Sequence, residues 1–126
     1  MKKKIFCFDL DNTLCFTKKN YYKNSKPKKK IIKLINKLYQ EGHTIKIFTS
    51  RFMGRSNENC KIANKKGLVL TKNQLKKWRV SHHSLIMGKP SYDILIDDKS
   101  WNFNKNWHKE VGSIYLKNIE KNVKKN

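Results

Sequence analysis

KIFCFDLDNTL, residues 4–14, is the stretch on which the fold turns. Lys4 to Phe8 is short, apolar and rich in Ile and Phe, the make-up of a buried β-strand. Asp9 to Thr13 then leaves the strand as a polar loop. Two carboxylates, Asp9 and Asp11, therefore stand two residues apart where a strand ends.

The pattern repeats outward. Phe16 to Lys26 is polar, aromatic and basic and reads as a loop or small flap. Pro27 suits the first turn of a helix, Ile31, Leu34, Ile35 and Leu38 recur at helical spacing, and Gly42 can end it. Thr44 to Phe48 reads as a second strand, followed directly by Thr49, Ser50 and Arg51. Asn57 to Lys66 reads as helical. Thr71-x-x-Gln74 resembles a capping box opening another helix to about Arg79. Ser84 to Met87 is a third strand, followed by Gly88-Lys89-Pro90. Asp93 to Ile96 is a fourth, ending at Asp97-Asp98, and Ser113 to Leu116 a fifth.

Strands alternating with helices predict an α/β domain, a Rossmann-like, mostly parallel sheet with helices on both faces. Such sheets bind ligands beyond the carboxyl ends of their strands. Asp9, Asp11, Thr49, Lys89, Asp97 and Asp98 all fall at such ends, so the fold gathers them at one crevice. Residues 1–116 are expected to be one domain and 117–126 a Lys/Asn-rich tail.

Composition bounds the reading. With 126 residues the chain has room for one ordinary domain. No apolar run approaches the roughly 18 residues of a membrane span. Asp9 interrupts the only apolar stretch near the N-terminus, against a secretory signal. Cys7, Cys15 and Cys60 show no CxxC spacing, which disfavours a disulfide scaffold or structural zinc and suits a reducing cytoplasm. The net charge of +21 invites a polyanion reading. Yet 27 of the 30 basic residues are Lys and Asn numbers 14, which together also fit compositional drift. The densest stretch, Lys18 to Lys30, holds seven lysines in thirteen positions.

The acidic residues are scarcer and better placed. There are five aspartates, and four of them form the pairs Asp9/Asp11 and Asp97/Asp98. Paired carboxylates form a hard oxygen site of the kind Mg²⁺ prefers. One carboxylate can attack phosphorus and a second can move the leaving group's proton. A Thr hydroxyl and a Lys ammonium can hold the transferring phosphoryl group. No glycine-rich nucleotide cradle is present, against a P-loop kinase.

FDLDNTL, IFTSR, GKP and LIDD, in that order, resemble the four motifs of the haloacid dehalogenase (HAD) superfamily across roughly Lys4 to Phe103. FTSRFM, GKP, DDK and a following Phe also resemble its small capsular-polysaccharide-type phosphatases. The resemblance implies that Asp9 is nucleophile and metal ligand. It implies that Asp11 is general acid/base and gives its backbone carbonyl to the metal. Thr49 would bond the phosphoryl oxygens and Lys89 would pair with nucleophile and phosphate. Asp98 would ligate Mg²⁺ with support from Asp97, and Ser50, Arg51 and Asn12 would contact substrate.

Neither gap between these motifs has room for a cap domain, so a capless member open to water is expected. The implied activity is Mg²⁺-dependent phosphomonoester hydrolysis through an aspartyl phosphate. The implied substrate is a small sugar or polyol phosphate of surface (capsular) polysaccharide precursor synthesis, handled in the cytoplasm by a possible homo-oligomer. Two alternatives stand beside it. One is a polynucleotide-end phosphatase, which requires a contiguous basic track into the crevice. The other is a nucleic-acid or anion-binding module on an inactive phosphatase fold.

Overall fold

The computed structural model describes residues 2–117. The chain is α/β. Strands β1 (Ile5–Asp9), β4 (Thr44–Thr49) and β5 (Ser84–Met87) form a parallel sheet in the order β1-β4-β5. Between β1 and β4 come the short antiparallel pair β2 (Cys15–Phe16) and β3 (Lys26–Pro27), then helix α1 (Lys29–Gln40). Helix α2 (Cys60–Lys77) joins β4 to β5, and α3 (Trp107–Tyr115) follows. No cap domain interrupts the described residues.

The core explains these elements. On β1 and β4 alternate residues face one side, so Phe8, Ile45 and Ile47 are buried together. Helix α1 lays Ile31, Leu34, Ile35 and Leu38 against them. Ile35 and Leu38 are fully enclosed, and truncating either to Ala should cost about 2–5 kcal/mol. Gly42, at φ +94°, supplies the left-handed turn that stops α1. The helices gather on this face, not on both faces as the sequence pattern predicts. The opposite face carries Ile5, Cys7 and Ile86, all exposed rather than helix-covered. On its outer side β1 has no strand partner among the described residues.

The sequence expectation for the flap holds, as a two-strand hairpin pinned at Cys15–Pro27 and Phe16–Lys26. Pro27 lies in that hairpin, two residues ahead of α1, rather than in the helix's first turn.

Other expectations about the elements are corrected too. The helices expected at 57–66 and 71–79 are the single helix α2. Gly67, inside α2, is a contact point: a Cβ there would collide with the Phe52 ring. Thr71 and Gln74 are consequently mid-helix, not a cap. Ser113 to Leu116, expected as a strand, lies in α3 and its exit. Ile114 and Tyr115 favour strands, but Trp107, Val111 and Tyr115 recur every four residues and pack on the core as one helical stripe.

Asp93 to Ile96, expected as the fourth strand, has no ladder partner among the described residues. Ile94 and Ile96 are 79% and 93% exposed. An apolar run states a need for burial without saying which edge will supply it. The tail beyond Lys117 lies outside the described residues.

Candidate active site

The site begins where β1 ends. Leu10 turns into the core, and Thr13 and Leu14 donate backbone N–H groups to its carbonyl at 3.2 and 3.0 Å. Asn12 sits at φ 62°, a conformation Asn tolerates better than most residues. This tight loop curls Thr13 back so that its hydroxyl donates to Asp9 Oδ2 at 3.1 Å. From the end of β5, Lys89 Nζ reaches Asp9 Oδ1 at 3.3 Å. The Asp9 carboxylate is thus held at both oxygens yet stays about one-third exposed.

The parallel register brings the second strand end alongside. Asp9 pairs with Phe48, so Thr49 follows immediately, and its carbonyl accepts the Lys89 N–H at 3.0 Å. Thr49 is buried, and its hydroxyl accepts the Arg51 N–H at 3.1 Å while keeping a proton to donate. Burial pulls the Lys89 ammonium's pKa down, but Tyr92 and Asp9 outweigh it and leave the group above an ordinary lysine. Lys89 therefore carries its charge throughout the neutral range. Asp9, Thr49 and Lys89, from three segments, do converge.

Asp11 has a different setting. Arg51 Nε and Nη2 donate to Asp11 Oδ1 at 3.2 and 2.9 Å, and Nε reaches Oδ2 at 3.0 Å. Thr17 Oγ1 donates to Oδ1 at 2.5 Å. Arg51 is itself 1% exposed. Its Nη1 donates to Thr71 Oγ1 at 3.3 Å and to Gln74 Oε1, its Nη2 to Ser25 Oγ at 3.2 Å, and Tyr22 lies against it at 5.0 Å. A guanidinium this deep needs partners for all its donors, and α2, the flap and Asp11 supply them. Arg51, expected to contact substrate, is instead a buried tie between Asp11 and the scaffold. To hand over a proton, the Asp11 carboxyl has to let go of it.

No family model matches the chain. No curated protein matches it either. Among solved structures, a structural-genomics target from Vibrio cholerae superposes with a TM-score of 0.75. The two share 27% identity over 98% of this chain and 95% of the other. That protein's description names no activity. The likeness supports the fold and leaves the chemistry to the residues.

The remaining expected site residues are dispersed. Asn12 is exposed, with its Oδ1 accepting the Thr17 N–H at 3.1 Å, so it braces the flap. Ser50 lends its carbonyl to Met53 N–H at 3.0 Å in the turn after β4. That turn is strained: Phe52 adopts φ 66°, a costly conformation for an aromatic residue, held by Tyr22 at 4.8 Å and by the space at Gly67.

Asp97 and Asp98 are exposed on the irregular segment after Pro90. The Lys99 N–H, bonded to Asp97 Oδ1 at 3.0 Å, and then Asp98 lower the Asp97 pKa. Among the described residues no three His, Cys, Asp or Glu side chains lie close enough to share a cation. As arranged, Asp9 is held at the end of β1, whereas Asp97 and Asp98 lie outside the sheet on an exposed irregular segment.

Sequence reasoning missed the partners of Arg51. Thr71 and Gln74 are three apart, hence on one face of α2, and both are buried. Two polar residues on the buried face of a long helix are the available signal of a polar guest, and here that guest is the guanidinium. Cys15, beside Asp11, has its thiol pKa raised chiefly by burial, so it acts as a core residue.

Proposed function

We propose that the chain is a phosphomonoester hydrolase whose nucleophile is Asp9, as its resemblance to HAD phosphatases implies. The observation that carries the reading is the Asp9 carboxylate itself. It is partly open to solvent at the end of a parallel strand, with the Lys89 ammonium on one oxygen, the Thr13 hydroxyl on the other and Thr49 beside it.

In this reading an Asp9 oxygen attacks phosphorus and the P–O bond to the alcohol breaks. The leaving oxygen takes a proton from Asp11, which acts in its protonated form once released from Arg51; water then attacks the acyl phosphate and gives a proton back to Asp11, yielding inorganic phosphate and restoring Asp9. Lys89 and Thr49 hold the phosphoryl oxygens as charge moves onto them. Asp11 first has to exchange Arg51 for substrate, so Arg51 positions the acid rather than touching the ester.

Mg²⁺ is the cofactor we propose. Its shell requires Asp97–Asp98 to come to Asp9, and the free outer side of β1 is where the run Asp93 to Ile96 could add as a strand. The substrate we favour is a small sugar or polyol phosphate of a surface-polysaccharide precursor pathway, met in the cytoplasm. The exposed sheet face fits a homo-oligomer. No helix among the described residues is long and apolar enough to cross a membrane.

The test is hydrolysis of p-nitrophenyl phosphate and a panel of sugar and polyol phosphates with Mg²⁺. The expected result is turnover that Asp9→Asn reduces by at least about 10³-fold. Undiminished turnover in Asp9→Asn, or none by the parent chain on any ester, overturns the proposal.

A further inference from the structure

Two grooves flank α1, and neither is lined by Asp9. The first, about 770 Å³, lies between α1, the flap and the end of α2. Its cations are Lys26, Lys29, Lys33, Lys37, Lys77 and Arg79, with Trp78 between the last two. The second, about 610 Å³, lies between the other side of α1 and the stretch before α3. It adds Lys28, Lys30 and Lys105 to the aromatic rings of Phe16 and Phe103. Pro27 and Lys29 line both, so the grooves adjoin at the start of α1. No carboxylate lines either one among the described residues.

Lys29, Lys33 and Lys37 stand four apart and make one cationic stripe along α1. Phe16 and Phe103, at 62% and 61% exposed, are large apolar rings left in water beside lysines, and Lys28 Nζ sits 4.7 Å above the Phe16 ring. The track also touches the catalytic corner. Lys28 Nζ donates to the Asn12 carbonyl at 3.2 Å, and Ser25, in the first groove, accepts from Arg51.

We infer that the two grooves form one track for single-stranded nucleic acid, with phosphates on the lysines and bases against Phe16, Phe103 and Trp78. Cationic grooves with aromatic platforms suit a single strand, whose bases are free to stack. A duplex, with its bases already stacked, would leave the rings unused. Eight lysines to a single arginine, Arg79, imply charge recognition with little base selectivity. A lipid surface fits less well, because the cations line concave walls. This inference needs no catalytic activity.

The test is fluorescence anisotropy of the full chain with a labelled twelve-residue oligothymidylate lacking terminal phosphates, without Mg²⁺, at 50 to 200 mM KCl. Binding and turnover are then measured apart, and failure of one reading leaves the other standing. Binding should weaken with salt, with a log–log slope of about −4 if six phosphates are engaged. The triple variant Lys33→Glu, Lys37→Glu, Lys77→Glu should bind at least about tenfold more weakly, with a slope shallower by about 2. Lys61→Glu, Lys65→Glu, Lys72→Glu carries the same charge change on the exposed side of α2 and should retain most of the affinity. Phe16→Ala with Phe103→Ala changes only exposed rings and should weaken binding about fivefold or more.

Absence of binding at 50 mM KCl overturns the inference. So does equal weakening by the two lysine triples, or a duplex binding as tightly as the single strand. Phosphatidylserine vesicles or dextran sulfate displacing the oligonucleotide at equal charge would also overturn it, in favour of a general anionic surface.

Discussion

Two acidic pairs in this chain have had opposite fates. Asp9 and Asp11 sit half-buried at the end of β1 and on the loop after it, and every carboxylate oxygen has a donor: Lys89, Thr13, Arg51 or Thr17. Asp97 and Asp98 follow an apolar run of the same character, yet they lie exposed with only local hydrogen bonds. The apolar run ahead of each pair is not what separates them. Phe8 is buried in the core that α1 and β4 provide, and the segment after Pro90 has no such host. A carboxylate pair becomes a site when the strand before it is claimed by a sheet.

The sharpest break in that comparison comes from removing one supporting charge. Arg51→Met leaves Asp11 without its cation and strips Thr71, Gln74 and Ser25 of their shared donor. It should destabilise the chain by about 3–5 kcal/mol, the range for breaking a buried ion pair. Asp98→Asn, made where nothing is packed, should change stability by less than about 0.5 kcal/mol. Urea unfolding of both variants without divalent cations is the measurement. Losses of similar size would mean that the two pairs are held alike.

A smaller effect isolates the scaffold side of the tie. Gln74→Leu keeps α2 intact and removes one acceptor from the buried guanidinium, so it should cost about 1–3 kcal/mol by leaving a donor unsatisfied. The same urea series checks it. A neutral result would show that Arg51 needs only Asp11.

What could be read in advance follows the same division. β1, β4, β5, the flap and most of α1 were legible because each pairs or packs with elements near it in the pattern, and its apolar period states its buried face. The convergence of Asp9, Thr49 and Lys89 then followed from parallel strands alone. Arg51 was legible as a site-adjacent residue but not as a tie, because its partners lie on α2, whose Thr71 mimics a cap. α3 was hidden by β-favouring Ile114 and Tyr115, whose stripe with Trp107 and Val111 appears only when a helix is assumed. Asp93 to Ile96 marks the limit: its composition asks for burial, and local pattern cannot name the edge.

That segment can be tested directly. Ile96 is almost fully exposed, so Ile96→Lys should leave stability unchanged within about 0.5 kcal/mol when no cation is present. If Mg²⁺ draws Asp97–Asp98 to Asp9, it should raise the melting temperature of the parent chain and fail to do so in Ile96→Lys, where docking would bury an ammonium. An equal Mg²⁺ response in both proteins would separate cation binding from strand addition.

The mildest expected effect concerns the link between the two regions. Glu58, after the strained turn at Phe52, accepts from the Ser91 N–H and hydroxyl, both at 2.8 Å, just beyond Lys89 and Pro90. The Ser91 backbone N–H, then its hydroxyl, hold the Glu58 pKa below the ordinary 4.5. A depressed acid stabilises the fold above its unfolded pKa, and the contribution disappears as pH falls through the folded value. The difference in unfolding midpoint between the parent chain and Glu58→Gln should therefore be constant at neutral pH and shrink once pH drops below 4.5. Glu58 is fully solvent-exposed, so this difference should be the smallest in the series. A difference that instead grew on acidification would mean that the tie does not depend on the ionised carboxylate, and that Ser91 is held by its own backbone.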